Sequence, residues 1–335
     1  LSFATTTRGE TTVIYDPILT NDWHVVGPAS QLDATGITSA RVLGEDIVIW
    51  RTGTQVLAWK DLCLHRGVKL SLGEIVDGHA LMCPYHGWTY DASGQCIRIP
   101  AHPDQAPPVK ARATTYHAKI ERDLIWVCLG QPSEYVAPFP EWDDPAYRRI
   151  LCGPYHFRAA GPRVVENFLD VAHFPFVHEH TLGARERPEI APYEVITDDE
   201  GVTASGIRVF QPNPDGTHVG KDVEYTYRVF RPLTAYFRKE ATEHGFAIML
   251  MVTPVDTLHS VAWMWMLMNH SYDVPEEELR AFQDHVAGED IPIVESQRPE
   301  LLPLDLQAEL HLRSDRTAIA YRKWLNTLGL SFGTA

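Results

Sequence analysis

Two short stretches carry soft metal ligands at close spacing: CLHRG at residues 63–67 and CPYHGW at residues 83–88. Together they set Cys63, His65, Cys83 and His86 as C-x-H, seventeen residues, then C-x-x-H. Such a set can be an accident of two loops, a structural zinc site or a [2Fe–2S] cluster. Zinc sites usually separate paired ligands by two or more residues, so C-x-H suits zinc poorly. A cluster with two thiolates on one iron and two imidazoles on the other suits the spacing, because each loop then supplies one ligand to each iron. On that reading Cys63 and Cys83 hold one iron, and His65 and His86 the other.

The run NFLDVAHFPFVH at residues 167–178 places an amide, a carboxylate and two imidazoles in an apolar stretch. Its plain reading is a satisfied core pair beside a surface histidine. Its chemical reading is part of a 2-His-1-carboxylate iron site, which leaves coordination positions open for O2 chemistry. His173 and His178 are five residues apart, so on a straight helix they point roughly 140° away from each other. Pro175 removes an N–H and clashes with the preceding turn. A break or π-type bulge near Phe174 is therefore expected, allowing both rings to meet one ion. Asp170, one turn before His173, is placed to accept from the non-ligating ring nitrogen and fix the ring. Asn167, a further turn back, is a candidate for lining the site. The third ligand is a carboxylate far downstream, with Asp284, Glu289, Asp290 and Glu295 all in range. Asp290 precedes Ile-Pro-Ile-Val, which reads as buried.

These ligands need elements to hold them. EDIVIWR (45–51), QVLAWK (55–60) and DLIWVCL (123–129) are rich in β-branched and aromatic residues and read as strands. The first two are joined by a hairpin turn. A Pro-rich stretch at 131–145 ends this part, giving domains at 1–148 and 149–335. The second part opens with a helix near Arg163 and continues with strands at about 201–210, 221–230, 233–240, 246–252 and 260–269. The last is apolar on both faces, so it is covered on both sides. Met249, Met251, Trp263 and Trp265 are candidates for the floor of a substrate pocket. Pro275 followed by Glu276, Glu277 and Glu278 starts one helix. Another runs from about Asp315 to Leu328 and stops at Gly329. Helices on an antiparallel sheet make this an α+β chain.

The chain has 335 residues, a net charge of −15 and an ordinary globular composition, 44% hydrophobic and 22% charged. The acidic balance speaks against nucleic acid and anionic membrane as partners. No apolar run approaches membrane-spanning length. The opening residues lack the basic-then-apolar pattern of a signal peptide. Five cysteines in such a chain do not suggest a disulfide framework, and a reducing cytoplasm is the expected compartment.

The two loops, with Arg66, Gly67, Pro84, Gly87 and Trp88 in place, resemble the Rieske domain of Rieske non-heme iron oxygenases. Respiratory Rieske proteins carry an extra cysteine in each loop; Val68 and Tyr85 stand there, which points to the oxygenase branch. Tyr85 is a candidate hydroxyl donor to a cluster sulfur, and Trp88 a candidate shield. Residues 167–178 resemble that family's N-x-x-D-x-x-H-x-x-x-x-H iron motif, and GEDIPIVESQRP (288–299) resembles its third-ligand segment, with Asp290 at the ligand position.

The resemblance covers nearly the whole chain and is strongest to the branch of vanillate, dicamba and caffeine demethylases and saxitoxin-pathway hydroxylases. It implies an all-β Rieske domain followed by a helix-grip catalytic domain. It also implies a [2Fe–2S] cluster, a mononuclear Fe(II), and monooxygenation or oxidative demethylation of a small aromatic or heterocyclic substrate with O2. Electrons come from NAD(P)H through a separate flavin and iron–sulfur reductase or a ferredoxin, in keeping with the lack of a dinucleotide fingerprint here. A homotrimer is implied, in which Asp170 bridges to His86 of a neighbouring copy. The alternatives are a ring cis-dihydroxylating dioxygenase and a Rieske electron carrier.

Overall fold

A computed structural model describes residues 16–214, 219–241 and 244–335. The opening stretch read for a signal peptide lies outside them. The chain divides between Pro132 and Ser133 into two compact units.

The first unit contains the one-turn helix α1 (Pro17–Thr20) and strands β1 (His24–Pro28), β2 (Ile37–Val42), β3 (Glu45–Thr52), β4 (Gln55–Lys60), β5 (Glu74–Val76), β6 (Ala80–Met82), β7 (Thr89–Asp91), β8 (Cys96–Arg98), β9 (Thr115–Glu121) and β10 (Leu124–Cys128). They form a six-stranded sheet, β1-β10-β9-β4-β3-β2, and a four-stranded sheet, β5-β6-β7-β8. Ile47, Val48, Ile49 and Trp50 of β3 are all buried, so both faces of this strand are covered. Trp50 meets Trp59 edge to face at 5.0 Å, and Trp59 meets Tyr90 at 6.5 Å. This aromatic core also contains Cys63 and Cys83. One ligand loop links β4 to β5 and the other links β6 to β7.

The second unit contains β11 (Arg148–Phe157), α2 (Gly161–Leu169), α3 (Phe174–Val177), β12 (Glu194–Asp198), β13 (Gly201–Gln211), β14 (Lys221–Arg231), β15 (Thr234–Ala241), β16 (His244–Asp256), β17 (His259–Met268), α4 (Glu276–Ser296) and α5 (Arg316–Leu328). Its strands form one seven-stranded sheet, β11-β17-β16-β15-β14-β13-β12, and all its pairings are antiparallel. The α+β class follows. Helix α5 ends at Gly329, whose φ of +78° is the left-handed stop expected there.

The division at 132/133 falls before the 148/149 boundary expected from sequence. Prolines end regular structure at 131–145, but the side chains between them adhere to the second unit's sheet. Tyr236 Oη donates to Glu141 Oε1 at 2.7 Å, Arg231 Nη2 donates to Ser133 Oγ at 2.9 Å, and Trp142 packs on Trp265 at 5.1 Å.

Helix α2 is tied into this unit by buried charges. Arg322 Nη2 donates to Glu166 Oε2 at 2.8 Å and to Glu309 Oε2 at 2.5 Å, and Arg163 Nη2 donates to Glu309 Oε1 at 2.8 Å. Four alternating charges thus join α2, α5 and the segment around residue 309. Among the described residues no helix is long and apolar enough to cross a membrane.

Candidate metal centres

The two loops of the first unit share one backbone plan. The Cys63 N–H donates to Val68 O and the Gly67 N–H donates back to Cys63 O; the Cys83 N–H donates to Trp88 O and the Gly87 N–H to Cys83 O. The glycine sits four residues after the cysteine in each loop, at φ +71° and +68°, a region that side chains disfavour. The plan turns both imidazoles to one place: the His65 and His86 rings lie 4.4 Å apart. His65 Nδ1 is buried and has no hydrogen-bond partner among the described residues. Burial, then the neighbouring His86 and Arg66, hold the His65 pKa below its ordinary value, so its lone pair stays available. A buried, unpartnered imidazole nitrogen beside two buried thiols fits a two-thiolate, two-imidazole cluster.

Trp88 stacks on His65 at 4.7 Å with ring planes 6° apart, as a shield would. Tyr85 lies over His86 at 3.9 Å and is 62% exposed. The hydroxyl that reaches a cluster-loop sulfur is that of buried Tyr90, 3.3 Å from Cys63 Sγ. Tyr90 went unremarked in the sequence because it reads as an ordinary strand residue.

In the second unit, α2 ends at Leu169 with Asp170 as its extended C-cap, and Asp170 Oδ1 accepts from the Ala172 N–H at 2.8 Å. The break therefore comes at residues 170–172, before His173, and not near Phe174 as the proline suggested. Pro175 instead occupies the second position of the short α3, where its missing N–H has no helical partner to lose. His173 and His178 are the N-cap and C-cap of α3, each at the edge of the helical turn.

Both histidine rings reach toward α4. His173 Nε2 and His178 Nε2 are 3.2 Å apart, and Asp290 Oδ1 lies 3.4 Å from the first and 3.2 Å from the second. The outer nitrogens are already engaged: His173 Nδ1 faces Asp170 Oδ2 at 3.2 Å and His178 Nδ1 faces Glu289 Oε2 at 2.7 Å. With protons on both Nδ1 atoms, three lone-pair atoms converge. Asp290 Oδ1 is within ion-pair reach of both rings and is a buried atom with no hydrogen-bond partner among the described residues.

Such a cluster draws in positive charge. Burial works against a charged His173, but Asp170 and Asp290 outweigh it and push its pKa up to about 9. Burial likewise opposes ionised Asp290, yet the two imidazoles hold its carboxyl well below the usual range. A first-row divalent cation binds such atoms at roughly 2.0–2.2 Å, and ligands at right angles then lie roughly 3 Å apart. The observed triangle has that size.

Each rival carboxylate has other work. Asp284 accepts from Tyr155 Oη at 2.7 Å, and Glu295 takes the Arg158 guanidinium at 2.7 and 2.9 Å. Glu289 orients His178. Ile-Pro-Ile-Val after Asp290 is less buried than its sequence suggests: Ile293 is exposed and Val294 buried.

Residues 22–116 match the Rieske [2Fe-2S] domain family, and residues 157–330 match the vanillate O-demethylase oxygenase C-terminal domain family. The chain is 30% identical over 320 residues to methylxanthine N1-demethylase NdmA of Pseudomonas putida, spanning 91% of this chain and 88% of that protein. It is 28% identical over 327 residues to methylxanthine N3-demethylase NdmB of the same species, spanning 92% and 89%. The chain belongs to the Rieske non-heme iron oxygenases.

The solved structure of Pseudomonas putida NdmA with caffeine superposes with a TM-score of 0.81 at 29% identity, covering 93% of this chain and 91% of that one. Dicamba monooxygenase bound to dicamba shares the fold, with a TM-score of 0.76 at 22% identity over 92% and 97% of the two chains. As a Rieske oxygenase of the demethylase branch, the chain is a terminal oxygenase subunit with a [2Fe–2S] cluster and a mononuclear non-heme iron. It monooxygenates or oxidatively demethylates small aromatic or heterocyclic compounds, and it is also 40% identical over 114 residues to oxidoreductase NdmD of Pseudomonas putida, 33% of this chain and 19% of that protein.

Beside the cluster of His173, His178 and Asp290 in this Rieske oxygenase is a cavity of about 340 Å³, lined among others by Asn167, Phe168, Phe174, Phe237, Phe246 and Ile248. That volume suits a small-molecule ligand. Met264, Met266 and Met268 supply the β17 wall. Met249, Met251, Trp263 and Trp265 do not line it. Strand alternation places these four on one face of the sheet, and the lining comes from the other. Met249 and Trp265 pair across β16 and β17 on the face where Trp142 packs.

Proposed function

We propose that His173, His178 and Asp290 hold the mononuclear iron, that Cys63, His65, Cys83 and His86 hold the cluster, and that the substrate is a flat, N- or O-methylated ring. The observation that carries the iron assignment is the triangle formed by two imidazole Nε2 atoms and one carboxylate oxygen, each 3.2–3.4 Å from the others. Iron there supplies activation of O2, with one oxygen atom entering a substrate C–H bond and the other leaving as water after two electrons and two protons. Hydroxylation of an N- or O-methyl carbon gives a product that releases formaldehyde.

The chain's own residues supply the rest. Asp170 and Glu289 hold the outer ring nitrogens of His173 and His178, fixing which nitrogen faces the metal. Phe168, Phe174, Phe237 and Phe246 keep the cavity apolar and the ring flat against its walls. Asn167 borders the cavity at the last turn of α2 and serves as a lining residue. Asp170 is half-exposed on its other side, where a homotrimer would let His86 of a neighbouring copy meet it and pass electrons.

The deciding experiment measures iron and formaldehyde together. Reconstituted protein should carry about three irons per chain, two in the cluster and one mononuclear. With a surrogate reductase it should release formaldehyde from N-methylated heterocycles. About two irons per chain would mark an electron carrier instead. Asp170→Asn should keep both metals but slow single-turnover reduction of the mononuclear iron; an unchanged rate would remove the bridging role.

A further inference from the structure

Two buried tyrosines border the cavity, and no part of the mechanism above uses their hydroxyls. Tyr225 and Tyr227 alternate along β14, so both side chains leave the same face of the sheet. Both line the cavity together with His173 and His178. Their rings are nearly parallel, 5.7 Å apart at 24°, and they are 2% and 1% exposed. Tyr227 Oη has no hydrogen-bond partner among the described residues. An unmet buried hydroxyl is unfavourable and calls for a partner.

Tyr225 is prepared differently. Lys239 stands directly across from it on β15, and its ammonium can only donate. Lys239 Nζ donates to Gln211 Oε1 at 3.3 Å, which fixes the orientation of that buried amide. Gln211 Nε2 then donates to Tyr225 Oη at 2.7 Å. The Tyr225 oxygen is thereby used as an acceptor, and its O–H remains to donate to another group. Each donor in this series polarises the next, from ammonium to amide to phenol. Burial raises the pKa of both phenols, so they stay protonated donors.

We infer that Tyr225 and Tyr227 form a donor subsite that recognises an acceptor oxygen on the substrate ring, a ring carbonyl or an oxyanion. This rests on the proposed function for the identity of the cavity as the substrate site, and it narrows the substrate to a ring bearing such an oxygen. Apolar walls alone discriminate weakly between rings of one shape. A site built to hydrogen-bond one group rejects the analogue that lacks it.

The test uses ring pairs matched in shape, titrated anaerobically into the iron-loaded protein: 1-methyl-2-pyridone against toluene, 1-methyl-2-quinolone against 1-methylnaphthalene, and 4-methylbenzoate as the oxyanion. The oxygen-bearing member should bind at least roughly tenfold tighter to wild type, the effect of a well-made hydrogen bond. In Tyr225→Phe/Tyr227→Phe that preference should shrink to about twofold or less, with iron per chain and the cluster absorption unchanged. The single variants and Gln211→Leu, which removes the relay behind Tyr225, should give intermediate preferences and serve if the double variant does not fold. Equal binding within each wild-type pair, no binding by any oxygen-bearing ring, or a preference that survives in the variants would overturn the subsite. A quinolone preference without benzoate binding assigns a neutral carbonyl, and the reverse assigns an oxyanion. Correct binding preference with no oxygenated product from any ring would count against the proposed reaction and leave the subsite standing.

Discussion

Glu289 Oε2 lies 2.7 Å from His178 Nδ1, and the very next residue, Asp290, faces Nε2 of the same ring at 3.2 Å. Two adjacent carboxylates on α4 thus grip opposite ends of one imidazole. One is placed to fix the tautomer, and the other borders the proposed metal position.

That division of labour makes Glu289 a determinant of metal affinity. Glu289→Ala should weaken binding of the mononuclear iron by roughly 10- to 100-fold, the usual effect of losing an orienting partner. Glu289→Gln, whose carbonyl can still accept, should be much milder. Chelator competition with the cluster spectrum as an internal standard would measure both, and equal effects would contradict the orienting role.

His173→Ala and Asp290→Asn act on the metal position itself. Each should lower iron from about three to about two per chain and abolish turnover, leaving the visible spectrum of the cluster intact. Cys63→Ala should do the reverse and remove the cluster absorption.

Tyr90 gives a prediction for the first unit. Its buried hydroxyl lies 3.3 Å from Cys63 Sγ, and donation to a cluster-bound thiolate there would favour the more negative, reduced cluster. Tyr90→Phe should lower the reduction potential by on the order of 40 mV, equivalent to about 1 kcal/mol for one electron. Protein-film voltammetry measures this directly; a potential that rises or holds still would show that the hydroxyl does not tune the cluster.

The charge network behind α2 gives a stability prediction with a definite pH sign. Arg322→Ala leaves Glu166 and Glu309 with Arg163 as their one remaining shared partner and should destabilise the second unit in denaturant unfolding, by up to about 3 kcal/mol. Burial alone would raise the Glu309 pKa, but Arg163 and Arg322 outweigh it and hold it below the ordinary glutamate value. Stability from Glu309 is therefore complete above pH of about 4.5 and fades as pH falls through the lowered folded value. Wild type and Glu309→Gln should differ most near neutrality and converge in acid.

Local patterns in the sequence revealed much of this architecture. Strands β3, β4, β10 and β13 to β17 follow from β-branched and aromatic runs, and α5 from its cap and its glycine stop. The ligand loops were legible because their residues are close in the chain. What failed depended on long-range placement. Pro175 signals a break, but whether a proline breaks a helix or begins one depends on where the preceding helix ends, and Asp170 ended it. Alternation in β16 and β17 separates Met249 and Trp265 from Ile248 and Met264 without saying which set the cavity claims. The order Glu289-Asp290 likewise hides which carboxylate meets which ring nitrogen.

Helix α3 is a single turn of four residues with His173 and His178 at its two ends. A turn of that length does not hold itself together in water. A metal ion joining its two caps to α4 acts as the cross-link that a disulfide provides elsewhere. Loading the ion and closing this stretch of backbone are then one event, and protease resistance around residues 170–183 should report occupancy as faithfully as catalysis does.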